Sequence, residues 1–335
     1  MSGAQSPVRW GIVGLGWVAA DFVAPAMVKS SGSRLAACLG SSLDKGHVFA
    51  QRFGVERVHG DLETLMHDPG VDAVYIALPN ALHHAAVLAA AHGKKHVLCE
   101  KPFALSVEQA REMVAACSDA GVILRIAHQL RFDAAVGRVR DLVRSGRLGR
   151  LVALSIERTS GLGARTSWRQ DFAQSGVIFD VGVHLLDLIP WVSGQPFVEV
   201  SAFTHPDRQR REPDDTVTIL GRLADDCHAI ARATREIASA ENNLIVEGSE
   251  ATLITSALRF ATQHVVRVHD RSGRTEECFP ASPAYELEIL AFEGELRGER
   301  SLLPDGQDSM RTVAVTQAVL QAIDERRSVV VPAVA

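Results

Sequence analysis

Short apolar segments alternate with mixed polar and apolar stretches through the first third of the chain. Apolar runs bounded by glycine, proline or polar residues predict buried strands, whereas the longer mixed stretches predict helices. Strands are predicted at residues 8–13, 34–40, 72–78, 95–100 and 121–128, and helices at 19–29, 81–92 and 106–120. This alternation is typical of an α/β domain built on a doubly wound parallel sheet with right-handed crossovers.

The pattern changes after residue 128. A helix is predicted at 133–145, and strands at 151–159, 198–203, 216–223, 228–236, 243–246 and 265–270. Few helices separate these strands before two late helices at 285–296 and 309–326, which favours a mostly antiparallel sheet. Because 335 residues exceed the size of one ordinary core, we predict two domains. The first is the parallel α/β domain at 7–128, and the second is an α+β domain at 129–335.

Composition narrows the class of protein without defining its function. The chain is 47% hydrophobic and 22% charged with a net charge of −5, so it lacks the basic surface of a nucleic-acid or membrane-binding protein. No apolar run is long enough to span a membrane, and residues 1–7 have no signal-peptide pattern. The five cysteines are scattered without a C-x-x-C pair. They predict buried thiols in a cytoplasmic protein, with no metal site and no disulfide framework.

A glycine pattern lies between the first predicted strand and the first predicted helix. Gly14-x-Gly16-x-x-Ala19 has the spacing of a dinucleotide-binding loop. The first glycine allows a tight turn, the second lets the backbone approach a pyrophosphate, and the small third residue lets the helix pack on the strand. With Trp17 and Val18 inside the same loop, this position favours a Rossmann domain that binds a nicotinamide dinucleotide.

The end of the second predicted strand bears on the choice of dinucleotide. An NAD site usually has an acidic residue there, but this chain has Ser41 and Ser42, with Lys45 close behind. Two hydroxyls and a cation suit a 2′-phosphate, so NADP(H) is favoured. Two alternatives stay open: the serines cap the following helix, or Asp44 reaches the ribose and the cofactor is NAD(H).

Two more strand ends carry candidate residues. Leu78-Pro79-Asn80 ends the third predicted strand, and His83 follows in the next helix. Lys101 follows the fourth predicted strand, where Pro102 prevents helix or sheet continuation. Open α/β sheets bind ligands at the carboxyl ends of their strands, so we expect these residues near a cofactor. The alternatives are a helix-capping Asn80 and a solvated turn lysine.

An acidic residue and a histidine interrupt an apolar segment of the second domain. Asp180 and His184 are four residues apart, which places them on one face of a helix, and Asp187 follows three residues later. A carboxylate that orients an imidazole suits general acid–base chemistry, while a structural hydrogen-bonded pair is equally compatible with the spacing. Asp187 has no further ligand types nearby to complete a metal site, and residues 207–212 are predicted to form a solvated loop.

These motifs together resemble one enzyme family. The combination of the glycine loop with Leu78-Pro79-Asn80, Glu100-Lys101-Pro102 and Asp180-x-Gly182-x-His184 is similar to the glucose–fructose oxidoreductase / inositol dehydrogenase (Gfo/Idh/MocA) family. The turn Leu130-Arg131-Phe132 and the pair Trp168-Arg169 add to the resemblance. The serine-rich loop and the segment 128–131 look most like its NADPH-dependent 1,5-anhydro-D-fructose reductase branch.

The resemblance implies site roles that spacing alone does not provide. It implies Lys101, Asp180 and His184 as the catalytic residues around the substrate carbon, and it allows a cis bond between Lys101 and Pro102. It implies Arg131, Trp168, Arg169, Asp180 and His184 as substrate contacts. The implied cofactor contacts are Gly14, Gly16, Trp17, Val18, Ser41, Ser42, Lys45, Leu78, Pro79, Asn80, His83, Glu100 and Lys101. It also implies an open-faced second sheet that forms homodimers or homotetramers.

The sequence therefore predicts an NAD(P)-dependent oxidoreductase acting on CH–OH groups. Its expected reaction is hydride transfer between the nicotinamide and a secondary alcohol or ketone of a sugar or cyclic polyol. An NAD-linked inositol-type or dihydrodiol-type dehydrogenase is one alternative. A non-catalytic NAD(P)-sensing regulator is another, although such a protein does not require Lys101, Asp180 and His184 together.

Overall fold

The computed structural model of the chain describes residues 6–159, 170–236, 242–258 and 262–334. The chain forms two compact units. The first comprises Met1–Gln129 and Pro283–Met310, and the second comprises Leu130–Ser282 and Arg311–Ala335.

The first unit contains a six-stranded parallel sheet in the order β3-β2-β1-β4-β5-β6. Its strands are β1 Val8–Val13, β2 Ser33–Leu39, β3 Arg57–His59, β4 Ala73–Ile76, β5 His96–Glu100 and β6 Leu124–Ala127. Its helices are α1 Ala24–Lys29, α2 Leu43–Phe53, α3 Leu62–Met66, α4 His83–His92 and α5 Val107–Ala120. The doubly wound parallel sheet predicted from the apolar pattern is confirmed. The short elements β3 and α3, which lack a long apolar run, were not predicted.

The strand order places a topological switch between β1 and β4. The chain runs outward from β1 to β2 and β3, then returns to the other side of β1 at β4. In such sheets the crevice at the carboxyl ends of the strands is the ligand-binding position. Gly14 directly follows β1, and the segment 77–80 directly follows β4, so both lie at this switch.

The chain returns to the first unit near its end, and this corrects the predicted boundary. Residues 283–310 belong to the parallel unit rather than to the domain predicted at 129–335. The reason is the packing of helix α8 Ala284–Glu295: its Phe292 ring lies 5.2 Å from the Trp10 ring, and Glu293 accepts a hydrogen bond from Ser30 at 3.0 Å. A return of this kind depends on contacts between distant residues, which local periodicity does not reveal.

The second unit contains a nine-stranded mixed sheet in the order β14-β13-β12-β11-β7-β10-β9-β8-β15. Its strands are β7 Leu151–Thr159, β8 Phe197–His205, β9 Thr216–Leu223, β10 His228–Thr234, β11 Leu244–Gly248, β12 Ala251–Thr255, β13 Gln263–Asp270, β14 Gly273–Pro280 and β15 Val329–Val330. Neighbours are antiparallel except the parallel pair β7 and β10. The predicted mostly antiparallel sheet is confirmed, and β12, β14 and β15 are additions.

One face of this sheet packs on helices and the other is open. The helices of this part of the chain are α6 Ala134–Arg144, α7 Val183–Ser193 and α9 Gly306–Glu325, whose first turn lies in the first unit. Along β9, buried Val217 and Ile219 alternate with exposed Thr218 and Leu220. Leu220 pairs with Ile230 of β10, which is also exposed. The α+β fold with an open-faced sheet therefore agrees with the predicted fold class.

Among the described residues, no helix has the length and apolar character needed to cross a membrane. The cysteines are free thiols; four of the five are buried, and Cys278 is exposed.

Candidate active site

The glycine loop has the geometry of a dinucleotide cradle. Gly14 has φ +94°, and a Cβ atom there would lie 2.3 Å from the Ala77 carbonyl oxygen of the neighbouring strand end. Gly16 is exposed, and a Cβ atom there would meet no described heavy atom within 4 Å. The first glycine is thus required by the fold, and the second leaves room in front of the loop, as a pyrophosphate needs. The residues present fit a nicotinamide dinucleotide.

This contrast gives a paired prediction for the two glycines. Gly14→Ala is expected to lower the melting temperature of the free protein, because its Cβ would overlap backbone and its φ disfavours alanine. Gly16→Ala is expected to leave that melting temperature unchanged but to weaken dinucleotide binding by about 10-fold or more, since the methyl group occupies the space in front of the loop. Differential scanning fluorimetry and a binding titration measure both effects. Equal dinucleotide affinity in Gly16→Ala and the parent would contradict the cradle.

An aromatic pair follows the loop. A π-helical turn at Ala19–Val23 continues into α1. Trp17 is 53% exposed, and its ring meets the Phe22 ring edge-on at 5.3 Å. The turn begins just after Trp17 and Val18, whose roles as cofactor contacts stay predictions.

The serines after β2 are exposed, and one of them caps a helix. Ser42 accepts a hydrogen bond from the backbone N–H of Lys45 at 3.3 Å and is the N-cap of α2. The capping interpretation of Ser42 is therefore confirmed. Capping leaves the hydroxyl of Ser41 and the ammonium of Lys45 at the surface beside it.

His83 connects the turn after β4, which contains Leu78, with the turn after β5, which contains Pro102. Its Nδ1 lies 2.8 Å from the Pro102 carbonyl oxygen and its Nε2 lies 2.9 Å from the Leu78 carbonyl oxygen. Burial lowers the pKa of His83 below its ordinary value, and the two carbonyl oxygens oppose that shift. His83 has 1% of its surface exposed and links the turns at Leu78 and Pro102, while its role as a cofactor contact stays a prediction.

The turn between β4 and α4 lies beside this histidine. Leu78 and Pro79 are partly exposed, whereas Asn80 is buried and begins a 3₁₀ turn, Asn80–Leu82. Lys101 follows β5 at the same edge of the sheet and is partly exposed. The Lys101–Pro102 peptide bond is cis, as the family resemblance allowed.

Glu100 faces the interior of the first unit. Its Oε1 accepts a hydrogen bond from the Tyr75 hydroxyl at 2.8 Å, and its Oε2 accepts one from the Lys101 backbone N–H at 3.1 Å. Glu100 is buried, and its hydrogen bond holds the Lys101 turn, while its role as a cofactor contact stays a prediction. The sequence does not show which way the side chain at the end of a strand points. That direction depends on contacts with neighbouring strands, here with Tyr75 of β4.

In the second unit, a π-helical turn at Ile178–Gly182 carries Asp180 and leads directly into α7, where His184 is the second residue. His184 is buried, whereas the Asp180 side chain is 32% exposed. Arg235, just after β10, lies 3.5 Å from Asp180 and is buried. The guanidinium stabilises a negative charge on Asp180. Sequence reasoning missed Arg235, because its partner lies 55 positions away and no local motif marks it.

A buried ion pair also anchors this π-turn. Asp214 accepts a hydrogen bond from the Ile178 N–H at 2.9 Å and pairs with Arg208 at 2.5 Å. Gly176 has φ +110°, and a Cβ atom there would lie 2.3 Å from Asp214. Residues 207–212 were predicted as a solvated loop, and this is wrong for Arg208, which is buried against the Phe172 ring. Arg208 is buried because it pairs with Asp214, which lies outside the predicted loop.

Arg131 is engaged within the protein. Its Nε donates to Asp187 at 2.9 Å and its Nη2 donates to the other oxygen of Asp187 at 2.5 Å, with both residues buried. Two parallel hydrogen bonds satisfy the two charges against each other. The structure thus gives Arg131 a buried partner, and its role as a substrate contact stays a prediction. Trp168 and Arg169, the other predicted contacts, lie outside the described residues.

The parallel sheet, the glycine cradle at its switch point and the lysine after β5 define an NAD(P)-binding oxidoreductase. The chain belongs to the Gfo/Idh/MocA family. Residues 8–128 match the family's NAD-binding Rossmann-fold domain, and residues 136–254 match its C-terminal domain.

Known relatives extend over nearly the whole chain. The 1,5-anhydro-D-fructose reductase of Ensifer adhaerens is 32% identical over 321 residues, covering 94% of this chain and 96% of the relative. The aldose–aldose oxidoreductase of Caulobacter crescentus superposes with a TM-score of 0.87 at 25% identity, covering 97% and 99% of the two chains. A 3-ketoreductase of Actinomadura kijaniata, solved with NADP, gives a TM-score of 0.84 at 25% identity, with 95% and 98% covered.

Proposed function

We propose that this protein transfers a hydride between NADP(H) and a secondary alcohol or ketone of a sugar or cyclic polyol. The observation that carries the proposal is the position of Lys101 at the carboxyl end of β5, on the sheet edge where Gly16 leaves open space. The names of the relatives, a sugar-derived reductase, an aldose oxidoreductase and a ketoreductase, support this substrate class.

Each candidate residue has a proposed task at the reacting oxygen. The dinucleotide, held by the loop at Gly14 and Gly16, supplies or accepts the hydride. Lys101 donates a hydrogen bond to the substrate oxygen and stabilises the negative charge that develops there. His184 donates or accepts the hydroxyl proton. Asp180, with its charge stabilised by Arg235, orients His184 or binds a neighbouring substrate hydroxyl.

The preference for NADP(H) rests on the loop after β2. A 2′-phosphate is bound by hydroxyls and cations, and Ser41, Ser42 and Lys45 are exposed at this strand end. The NADP-bound 3-ketoreductase supports the same choice. An NAD-linked inositol-type or dihydrodiol-type dehydrogenase is the competing function, and Asp44 in the same loop is the residue that favours it.

A turnover assay tests the substrate class and the cofactor together. NADPH and NADH are each offered with a panel of ketoses, osones and keto-polyols, and NADP and NAD with the corresponding alcohols. We expect NADPH-dependent reduction of at least one sugar-derived ketone, with a larger thermal shift from NADP than from NAD. The variant Lys45→Ala is expected to narrow that difference. Turnover only with NAD and inositols or dihydrodiols would contradict the proposal.

We also propose that the open face of the second sheet mediates homodimers or homotetramers. Phe203 is 81% exposed on β8, and exposed Leu220 and Ile230 pair across β9 and β10. Contiguous apolar side chains on a sheet face are typical of a protein interface. Light scattering tests this assembly, and a monomeric mass at micromolar concentration would exclude it.

A further inference from the structure

A buried acid on α8 has no role in the proposed chemistry. Glu288 has 0% of its surface exposed, and within the described residues neither of its carboxyl oxygens has a hydrogen-bond partner. An ionised carboxylate in such surroundings is very costly, because it is removed from bulk solvent and no described protein group donates a hydrogen bond to it. The pKa of Glu288 is raised well above its ordinary value, mainly by burial and to a smaller degree by the negative charge of Glu100.

Glu100, whose charge acts on Glu288, is hydrogen-bonded to the Lys101 backbone. Tyr75, on β4, is fully buried and donates its hydroxyl to Glu100 at 2.8 Å. The other oxygen of Glu100 accepts the Lys101 N–H at 3.1 Å. All four residues lie in the first unit, although Glu288 comes from the segment 283–310 that returns to it.

The hydrogen bonds indicate which acid carries a proton. Glu100 accepts from two donors, one at each oxygen, which suits an ionised carboxylate. Glu288 is a neighbouring acid without a donor. Two buried carboxyl groups that interact do not both ionise readily, so the proton resides on Glu288.

We propose that Tyr75, Glu100 and Glu288 form a positioning cluster for Lys101. Glu100 fixes the backbone at the catalytic lysine, Tyr75 fixes Glu100, and a neutral Glu288 keeps a second negative charge out of the cluster. When Glu288 ionises, its repulsion with Glu100 loosens the turn that presents Lys101. Only the predicted effect on catalysis rests on the proposed function of Lys101.

The other groups that face the cluster define its electrostatics. Tyr285, on the same helix as Glu288, lies near Tyr75, and burial raises the pKa of Tyr75 well above its ordinary value. The Cys99 thiol on β5 is buried beside Glu100, and burial raises its pKa as well. Neither a phenol nor a thiol with a raised pKa ionises before the acid, so Glu288 is the group whose ionisation limits the cluster.

The pH dependence of stability follows from the protonation of Glu288. A group whose pKa is higher in the folded state stabilises the fold fully below its unfolded pKa, and this stability is lost as pH rises through the folded pKa. The native protein should therefore lose stability with rising pH, starting from the ordinary glutamate range near about pH 4. Replacing Glu288 by a neutral residue should remove the part of this stability loss that comes from its ionisation.

The test uses full-length Glu288→Gln, with Glu288→Met as a second neutral variant in case the first does not fold. Melting temperatures are measured from about pH 5 to about pH 9. We expect the difference between variant and parent to increase in favour of the variant as pH rises. The control is Glu293→Gln, a buried acid on the same helix that accepts from Ser30 and Trp10. Its pH dependence should remain that of the parent.

A second arm measures catalysis. Glu100→Gln is expected to lower kcat by about 10-fold to 100-fold while KM and the NADPH dissociation constant change by less than about 3-fold, because displacement of a catalytic group mainly affects the chemical step. Tyr75→Phe should have the same effect to a smaller degree. Melting curves of Glu288→Gln that track the parent at every pH, or a Glu100→Gln variant with parental kcat, would overturn the cluster. The melting experiment tests the protonation of Glu288 without any turnover measurement. The proposed function of Lys101 is tested separately, by the kinetics of Lys101→Ala.

Discussion

Lys101→Ala is expected to lower turnover by about 10²-fold to 10³-fold while leaving dinucleotide affinity within about 3-fold of the parent. The reason is that an ammonium which stabilises developing charge on the substrate oxygen acts mainly in the transition state, and removing one such donor has an effect of this size. The glycine loop that would hold the dinucleotide is separate from Lys101 in the chain and remains intact. Steady-state kinetics and fluorescence titration with NADPH measure both quantities.

Lys29→Ala is the matched control for this prediction. Lys29 lies in the same unit, is 66% exposed, and pairs with Glu286 at the surface. Its loss should leave turnover unchanged. Near-parental turnover in Lys101→Ala would exclude Lys101 as the catalytic residue, and loss of dinucleotide affinity alone would reassign it to cofactor binding.

His184→Asn is expected to lower kcat by about 10²-fold to 10⁴-fold, which is the usual contribution of a general acid or base. Asparagine keeps the approximate size and a hydrogen-bonding side chain but transfers no proton. The pH profile of kcat/KM should also lose one limb in the variant. Melting temperature and NADPH affinity serve as checks that the unit still folds.

The control here is His264→Asn. His264 is buried to the same extent as His184 and lies 3.0 Å from Asp133, so its loss tests the cost of removing a buried histidine from the same unit. We expect it to lower the melting temperature without changing the shape of the pH profile. An unchanged profile in His184→Asn would assign its proton-transfer role to another group.

Motifs whose function depends on local backbone were predictable from sequence. Gly14 is recognisable because a tight turn followed by a helix requires glycine at that position, whatever surrounds it. The position of Lys101 just after a strand is recognisable because Pro102 prevents the strand from continuing. The apolar periodicity likewise predicted the long strands of both sheets. A strand buried on both faces is a continuous apolar run, whereas a strand buried on one face alternates apolar and polar residues.

Residues whose role depends on a distant partner were not predictable. The pairing of Arg131 with Asp187 through two hydrogen bonds has no mark in the sequence. The sequence also does not show that Tyr75 donates to Glu100, or that His83 lies between two backbone carbonyl oxygens. Arg235 and Asp214 carried no signal in their own neighbourhood.

The sequence by itself determined the fold class, the dinucleotide loop and the candidates Lys101, Asp180 and His184, because short-range spacing and backbone chemistry specify each of them. Only the tertiary structure decided that residues 283–310 return to the parallel unit and that Glu288 is buried within the electrostatic reach of Glu100. It also decided that Arg235 is the partner of Asp180. Side-chain direction, burial and charge pairing arise from contacts between segments far apart in the chain, and a one-dimensional pattern does not record them.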